Sequence, residues 1–100
     1  MFVHTVLFWL KDLSPDQLAD FTTGLDELIA IESVSQGWYG QPASTDRPII
    51  DTSYSYGLTI INTDLAAHQA YQDDPIHDRF RDRCHPYFDK VVIYDYETDQ

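Results

Sequence analysis

Four stretches of the chain have the apolar content and the alternation of short β-strands. They cover residues 2–9, 34–40, 53–61 and 90–96. In the first stretch His4, Val6 and Phe8 point to one face, while Leu7 and Trp9 point to the other. Because the first and last stretches are largely apolar on both faces, both faces of the predicted sheet need cover.

Two other stretches carry apolar residues at the spacing of an amphipathic helix. The first helix is predicted to begin after Ser14, where Pro15 and Gln17 complete a capping-box pattern. Its apolar stripe consists of Leu18, Phe21, Leu25, Leu28 and Ile29. The second helix is predicted to be capped by Thr63 or Asp64. Its stripe consists of Leu65, His68 and Tyr71.

A break in the second helix is predicted at Asp74 and Pro75. Asp74 can cap a new helix, and the fixed φ of proline suits the first helical position. The new stripe consists of Ile76, Phe80 and Cys84. Pro86 ends this helix, and residues 41–51, which have two prolines and no periodicity, are predicted to form a loop.

The order of elements is β, α, β, β, broken α, β, which predicts an α+β protein with the ferredoxin-like βαββαβ arrangement. The whole chain, residues 1–100, forms one domain. We expect a four-stranded antiparallel sheet with its helices on one face. The other, apolar face would be left open, and an exposed apolar face of this kind usually marks an association surface. We therefore expect a homodimer that packs sheet against sheet, as in a dimeric α+β barrel.

The charge of the chain limits its partners. It has 17 acidic and 6 basic residues and a formal charge of −11. Phosphate backbones and anionic membrane surfaces would repel such a chain, so we expect neither nucleic acid nor membrane as a partner.

No apolar run approaches the roughly 18 residues that span a bilayer, and the N-terminus has no signal-peptide pattern. Cys84 is the single cysteine, which agrees with a reducing compartment. We therefore expect a cytoplasmic location.

The helix break also brings together a candidate acid–base pair, Tyr71 and His77. His77 falls in the first turn of the new helix, whose partly positive N-terminus disfavours the imidazolium. A neutral histidine there can act as a base, although a surface histidine after a turn is the simpler interpretation.

The chain resembles the stress-responsive A/B barrel family, often shortened to Dabb, whose members are small dimeric α+β barrel proteins. The resemblance covers nearly the whole chain. It is carried by residues 3–8 with His4, residues 54–59, residues 71–80 with Pro75, Ile76 and His77, and the closing strand 91–96. It implies the ferredoxin-like fold and a barrel-forming dimer, but no particular function, because many members have no assigned activity.

One enzyme type in the family, olivetolic acid cyclase, closes a linear polyketide by an intramolecular aldol condensation. By this resemblance His4, Tyr71 and His77 match its functional positions, and Tyr56 stands where that enzyme has another histidine. The resemblance implies a cavity between sheet and helices that holds a small apolar or polyketide-like ligand and needs no cofactor or metal. Further apolar side chains expected to line it are Phe8, Phe21, Leu25 and Phe80.

Other functions remain open. The protein could be a non-catalytic, stress-linked accessory protein in which the histidines are structural. Some dimeric α+β barrels are monooxygenases or haem proteins, but the sequence has no cofactor fingerprint. Asp73, Asp74 and Asp78 could bind a metal, although carboxylates at a helix start are more often caps. His68 and His85 match no functional position and are expected to be surface or structural residues.

Overall fold

Four antiparallel strands form one sheet, and the helices found within the described residues lie on one face of it. The computed structural model describes residues 1–99. The elements are β1 (Phe2–Leu10), α1 (Pro15–Ile29), β2 (Gln36–Gly40), β3 (Tyr56–Asn62), α2 (Leu65–Asp73), α3 (Pro75–Cys84) and β4 (Phe88–Glu97), with a 3-10 turn at His85–Tyr87. The strand order is β2-β3-β1-β4, so the predicted ferredoxin-like fold is confirmed. Within residues 1–99, no helix has the length and apolar character that crossing a bilayer requires.

The starts of three strands differ from the prediction, and the ends of β1, β3 and β4 each lie one residue later than predicted. β2 starts at Gln36 because the Val34 N–H is used in a turn, where it donates to the Ile31 carbonyl at 3.0 Å. β3 starts at Tyr56 because the Asp51 carboxylate holds Ser53 in a turn, accepting from its N–H and its hydroxyl. β4 starts before residue 90, at Phe88, and pairs with β1 past an irregularity in the register.

The helix starts follow the predicted caps. Ser14 and Gln17 form the reciprocal capping box of α1. Asp64, rather than Thr63, caps α2 by accepting a first-turn N–H. Asp74 ends α2 and also caps α3, whose first residue is Pro75. The chain therefore changes direction at Asp74.

The two faces of the sheet have different surroundings. On the helix-facing side, His4, Val6 and Phe8 are buried. The core between the layers also includes Phe21, Leu25, Leu28, Leu58, Ile60, Tyr71, Phe80 and Cys84. On the opposite side, no helix within residues 1–99 covers the sheet, and Tyr94 and Tyr96 are 61% and 57% exposed. We call this side the open face.

The register places further aromatic and apolar side chains on the open face. Leu7 lies opposite Val92, Thr5 opposite both Tyr94 and Thr59, and Thr59 opposite Trp38. Residues that lie opposite each other in a ladder share a face. The open face therefore carries Trp9, Trp38, Val92, Tyr94 and Tyr96.

Candidate functional site

A cavity of about 240 Å³ lies between the sheet and helices α2 and α3. It exists because α3 leaves part of β4 uncovered, so that Val91 and Ile93 on the helix-facing side are 39% and 52% exposed. The lining is His4, Val6, Phe8, Leu28, Leu58, Tyr71, Gln72, His77, Phe80, Arg81, Phe88, Val91 and Ile93. Pockets for drug-sized ligands measure roughly 300–1,000 Å³, so this apolar cavity suits a smaller molecule.

The helix break brings Tyr71 and His77 together at this cavity. Tyr71 lies in the last part of α2 and is 1% exposed, and His77 lies in the first turn of α3. Their rings meet edge to face, with centroids 5.0 Å apart and planes at 79°. The change of direction at Asp74 is what allows two residues from successive helices to meet.

His77 is held in its neutral form. Burial lowers its pKa, and the positive charge of Arg81 and the nearby His4 lower it further, against an opposing effect of Asp78 and Asp74. Its Nδ1 is buried and has no hydrogen-bond partner among residues 1–99. A neutral imidazole with an unused ring nitrogen can accept a proton or bind a polar group of a ligand.

Tyr71 is held in its protonated form. Burial raises the pKa of its phenol, so the hydroxyl keeps its proton at neutral pH. A buried phenol of this kind is a hydrogen-bond donor rather than a base. The pair therefore combines a proton acceptor, His77, with a donor, Tyr71.

His4 reaches the cavity from β1. Its Nδ1 lies 2.5 Å from Oδ1 of Asp95, which stands opposite it on β4. The His4 ring is 3% exposed and contacts the edge of Tyr71, with centroids 5.8 Å apart. The carboxylate accepts the Nδ1–H, which fixes the ring orientation and leaves the other ring nitrogen for further contacts.

His68 packs against His4 beside the cavity, although the sequence indicated only a surface or structural residue at this position. It is 3% exposed, stacks on Phe2 with centroids 4.1 Å apart, and lies 4.7 Å from the His4 ring. Its Nδ1 lies 3.2 Å from Oδ1 of Asn62. The signal that could have found it is its position three residues before Tyr71, on the same stripe of α2. His85, by contrast, is exposed.

Not every residue predicted for the pocket borders the cavity. Phe8 and Phe80 line it, whereas Phe21 and Leu25 are fully buried in the core beside it. Tyr56 borders a separate depression near the start of α1. It lies there because it pairs with Phe8, near the end of β1 away from His4.

The aspartates around the helix break have structural roles. Asp74 is the cap of α3, and Asp78 forms an exposed ion pair with Arg81 at 3.0 Å. Asp73 is an exposed residue at the end of α2. Within residues 1–99 these three do not form a group of metal-ligating side chains.

The antiparallel sheet, its helices on one face and the cavity between the layers define a ferredoxin-like α+β domain. The family pattern named Stress Responsive A/B Barrel Domain matches residues 2–98. The chain therefore belongs to this family, as its resemblance predicted.

Several solved structures share this fold. A Dabb family protein with a ferredoxin-like fold from Mesorhizobium loti is 32% identical, with 97% of this chain and 95% of that chain covered and a TM-score of 0.78. A dimeric ferredoxin-like protein of unknown function from Thermobifida fusca is 23% identical, with 97% and 90% covered and a TM-score of 0.78. Hydroxynitrile lyase from Passiflora edulis is 19% identical, with 99% and 94% covered and a TM-score of 0.79. The last two similarities concern the fold alone. Among proteins with curated descriptions, none matches the chain.

Proposed function

We propose that the cavity binds a small apolar carbonyl compound and that His77 and Tyr71 act on it by general acid–base chemistry. The observation that carries the proposal is the pairing of a neutral imidazole and a protonated phenol within one apolar cavity. Pairs of titratable groups whose surroundings drive their pKa values apart are typical of acid–base sites.

The reaction class is proton abstraction next to a carbonyl, followed by carbon–carbon bond formation. Neutral His77 takes the proton from the α-carbon, and the electron pair of the C–H bond forms an enolate. The Tyr71 hydroxyl donates a hydrogen bond to the enolate oxygen. In an aldol cyclisation the enolate carbon attacks a second carbonyl of the same molecule, and the imidazolium of His77 returns the proton to the new alkoxide.

The rest of the cavity has supporting roles. His4, oriented by Asp95, contacts a polar group of the ligand through its other ring nitrogen and so sets the position of the ligand. Phe8 and Phe80 contact the apolar part of the ligand and exclude water there, which strengthens the hydrogen bonds inside the cavity. The fold itself supports enzymatic use, since a structural relative from Passiflora edulis is a hydroxynitrile lyase.

The exchange of α-protons tests this function directly. Acetophenone in D₂O, followed by NMR, reports abstraction of the methyl protons without any need for ring closure. We expect the wild-type protein to accelerate the exchange and His77→Ala to reduce the acceleration by roughly 100- to 10,000-fold, the usual contribution of a general base. Tyr71→Phe should cause a smaller loss, because it deletes only the hydroxyl.

His85→Ala is the matched control, because His85 is exposed and lies away from the cavity. It should leave the exchange rate unchanged. Exchange in wild-type protein no faster than in His77→Ala would overturn the acid–base assignment. A His77→Ala protein that melts at lower temperature but binds acetophenone as well as wild type would favour the alternative, a non-catalytic accessory protein with a structural His77.

We also propose that the protein is a homodimer in which two open faces pack together. The open face exposes Trp38, Tyr94 and Tyr96 by 53%, 61% and 57%. Exposed apolar and aromatic faces usually mark association surfaces, and a chain of 100 residues gains core from a partner. The relative from Thermobifida fusca is described as dimeric, which supports the same assembly here.

A further inference from the structure

Three ligand-type side chains from three different elements meet beside the cavity. They are His4 of β1, His68 of α2 and Asp95 of β4, and one nitrogen or carboxylate oxygen from each lies within 4.8 Å of the others. Both histidines are 3% exposed, while the Asp95 side chain is 39% exposed. The group is therefore built into the core but can be reached from solvent along the Asp95 side.

The hydrogen bonds of Asn62 define which nitrogen of His68 carries the proton. The side-chain amide nitrogen of Asn62 donates to the Ser33 carbonyl at 2.9 Å, so its amide oxygen faces His68. That oxygen can only accept, which means that Nδ1 of His68 is the donor. In the neutral ring Nε2 then has a free lone pair.

This arrangement is typical of a metal-binding histidine. Such histidines usually donate their second ring N–H to a carbonyl or carboxylate, which fixes both the tautomer and the ring orientation. Asn62 has this role for His68. Stacking on Phe2 holds the plane of the His68 ring.

We propose that His4, His68 and Asp95 bind one first-row divalent transition-metal ion such as Zn²⁺. Two imidazoles and one carboxylate are a ligand set that suits such ions, and three protein ligands leave a fourth position for water or a ligand. Mg²⁺ and Ca²⁺ prefer oxygen ligands, so they should bind poorly here.

The metal site goes beyond the proposed acid–base function and can fail separately from it. His77 and Tyr71 are outside the metal group, whereas His68 and Asp95 are outside the acid–base pair. A His77→Ala protein should therefore bind the ion as wild type does. A His68→Gln protein should lose the ion but keep α-proton exchange.

Calorimetric titration of untagged protein with Zn²⁺, together with absorption spectra of the Co²⁺ form, tests the site. We expect one ion per chain and the visible bands of tetrahedral or five-coordinate Co²⁺. His68→Gln and Asp95→Asn should each weaken binding by at least about tenfold. Asp95→Asn is the safer variant, because the side chain is partly exposed and its loss leaves the core packing intact.

The controls are His85→Gln and Asp89→Asn, an exposed histidine and an exposed aspartate of the same strand as Asp95. Both should bind Zn²⁺ as wild type does. The proposal is overturned if Zn²⁺ binds weakly at several sites without saturation, or if His68→Gln and Asp95→Asn bind it as tightly as their controls. Melting curves establish that each variant is folded before titration.

Discussion

The fold opposes the protonation of His68, which is buried, and of His77, which is partly buried. Burial is the main cause of the lowered pKa of both rings. For His68 the neighbouring His4 and His77 add to the effect, while the Asp95 carboxylate opposes it. The unfolded chain has no such surroundings, so each ring binds a proton more readily when unfolded. The stability of the protein is therefore linked to pH through these residues.

The free energy of unfolding should fall as the pH is lowered from about 7.5 to about 5.5, because the unfolded chain then binds more protons than the folded chain. Each histidine stabilises the folded protein when the pH lies above the pKa that this histidine has in the unfolded chain. This stability is lost as the pH falls below that pKa. His68→Gln and His77→Gln should each flatten this dependence, measured by urea unfolding across the range. The exposed His85→Gln is the control and should keep the wild-type slope. Identical slopes in all variants would contradict the linkage.

Helices α1 and α3 approach each other at Gly24, and this contact positions the wall of the cavity. A Cβ atom at Gly24 would lie 2.7 Å from Cδ1 of Phe80, whose ring lines the cavity. Nearby, Arg83 of α3 forms ion pairs with Asp20 and Glu27 of α1. Gly24 weakens α1 as a helix, but its missing side chain allows the Phe80 ring to pack against the α1 backbone.

Gly24→Ala should lower the free energy of unfolding by roughly 1 kcal/mol, because an overpacking cost of roughly 1–3 kcal/mol exceeds the gain of roughly 1 kcal/mol in helix propensity. Thr23→Ala, at an exposed position of the same helix, should be neutral or stabilising. Chemical denaturation of both variants measures the difference. A Gly24→Ala protein as stable as Thr23→Ala would show that α3 moves away at no cost.

At the scale of the whole molecule, the sheet has one face in the core and one open face. The helices on one side leave Trp38, Tyr94 and Tyr96 in contact with solvent on the other. Trp9 is already engaged within the chain, since its indole donates to Ser53 and lies 4.6 Å under the Lys90 ammonium. Tyr94 is therefore the better position at which to test assembly.

Tyr94→Asp should convert the proposed dimer to monomers, because a charge buried in an apolar interface is desolvated without a partner. Sedimentation velocity at micromolar concentration measures the change. Ile49→Asp, at a loop residue that is 92% exposed, should leave the dimer intact. Folded wild-type protein that sediments as a monomer would contradict the assembly.

The local part of this structure could be predicted from sequence. Caps such as Ser14, Asp64 and Asp74 act on their own first turns, and the alternation along β1 assigns side chains to faces, so neither requires distant contacts. The same local rules predicted that Tyr71 and His77 flank a break. The order of the elements predicted the ferredoxin-like fold. The family resemblance implied the same fold and a functional role for His4.

What the sequence by itself determined is therefore the set of elements, their capped starts and the apolar character of both sheet faces. Only the tertiary structure decided which side chains meet. Strand register placed Tyr56 away from His4 and set Asp95 opposite it, and the packing of α2 brought His68 to the same point. Register and packing depend on contacts between residues far apart in the chain, and no local pattern records those contacts.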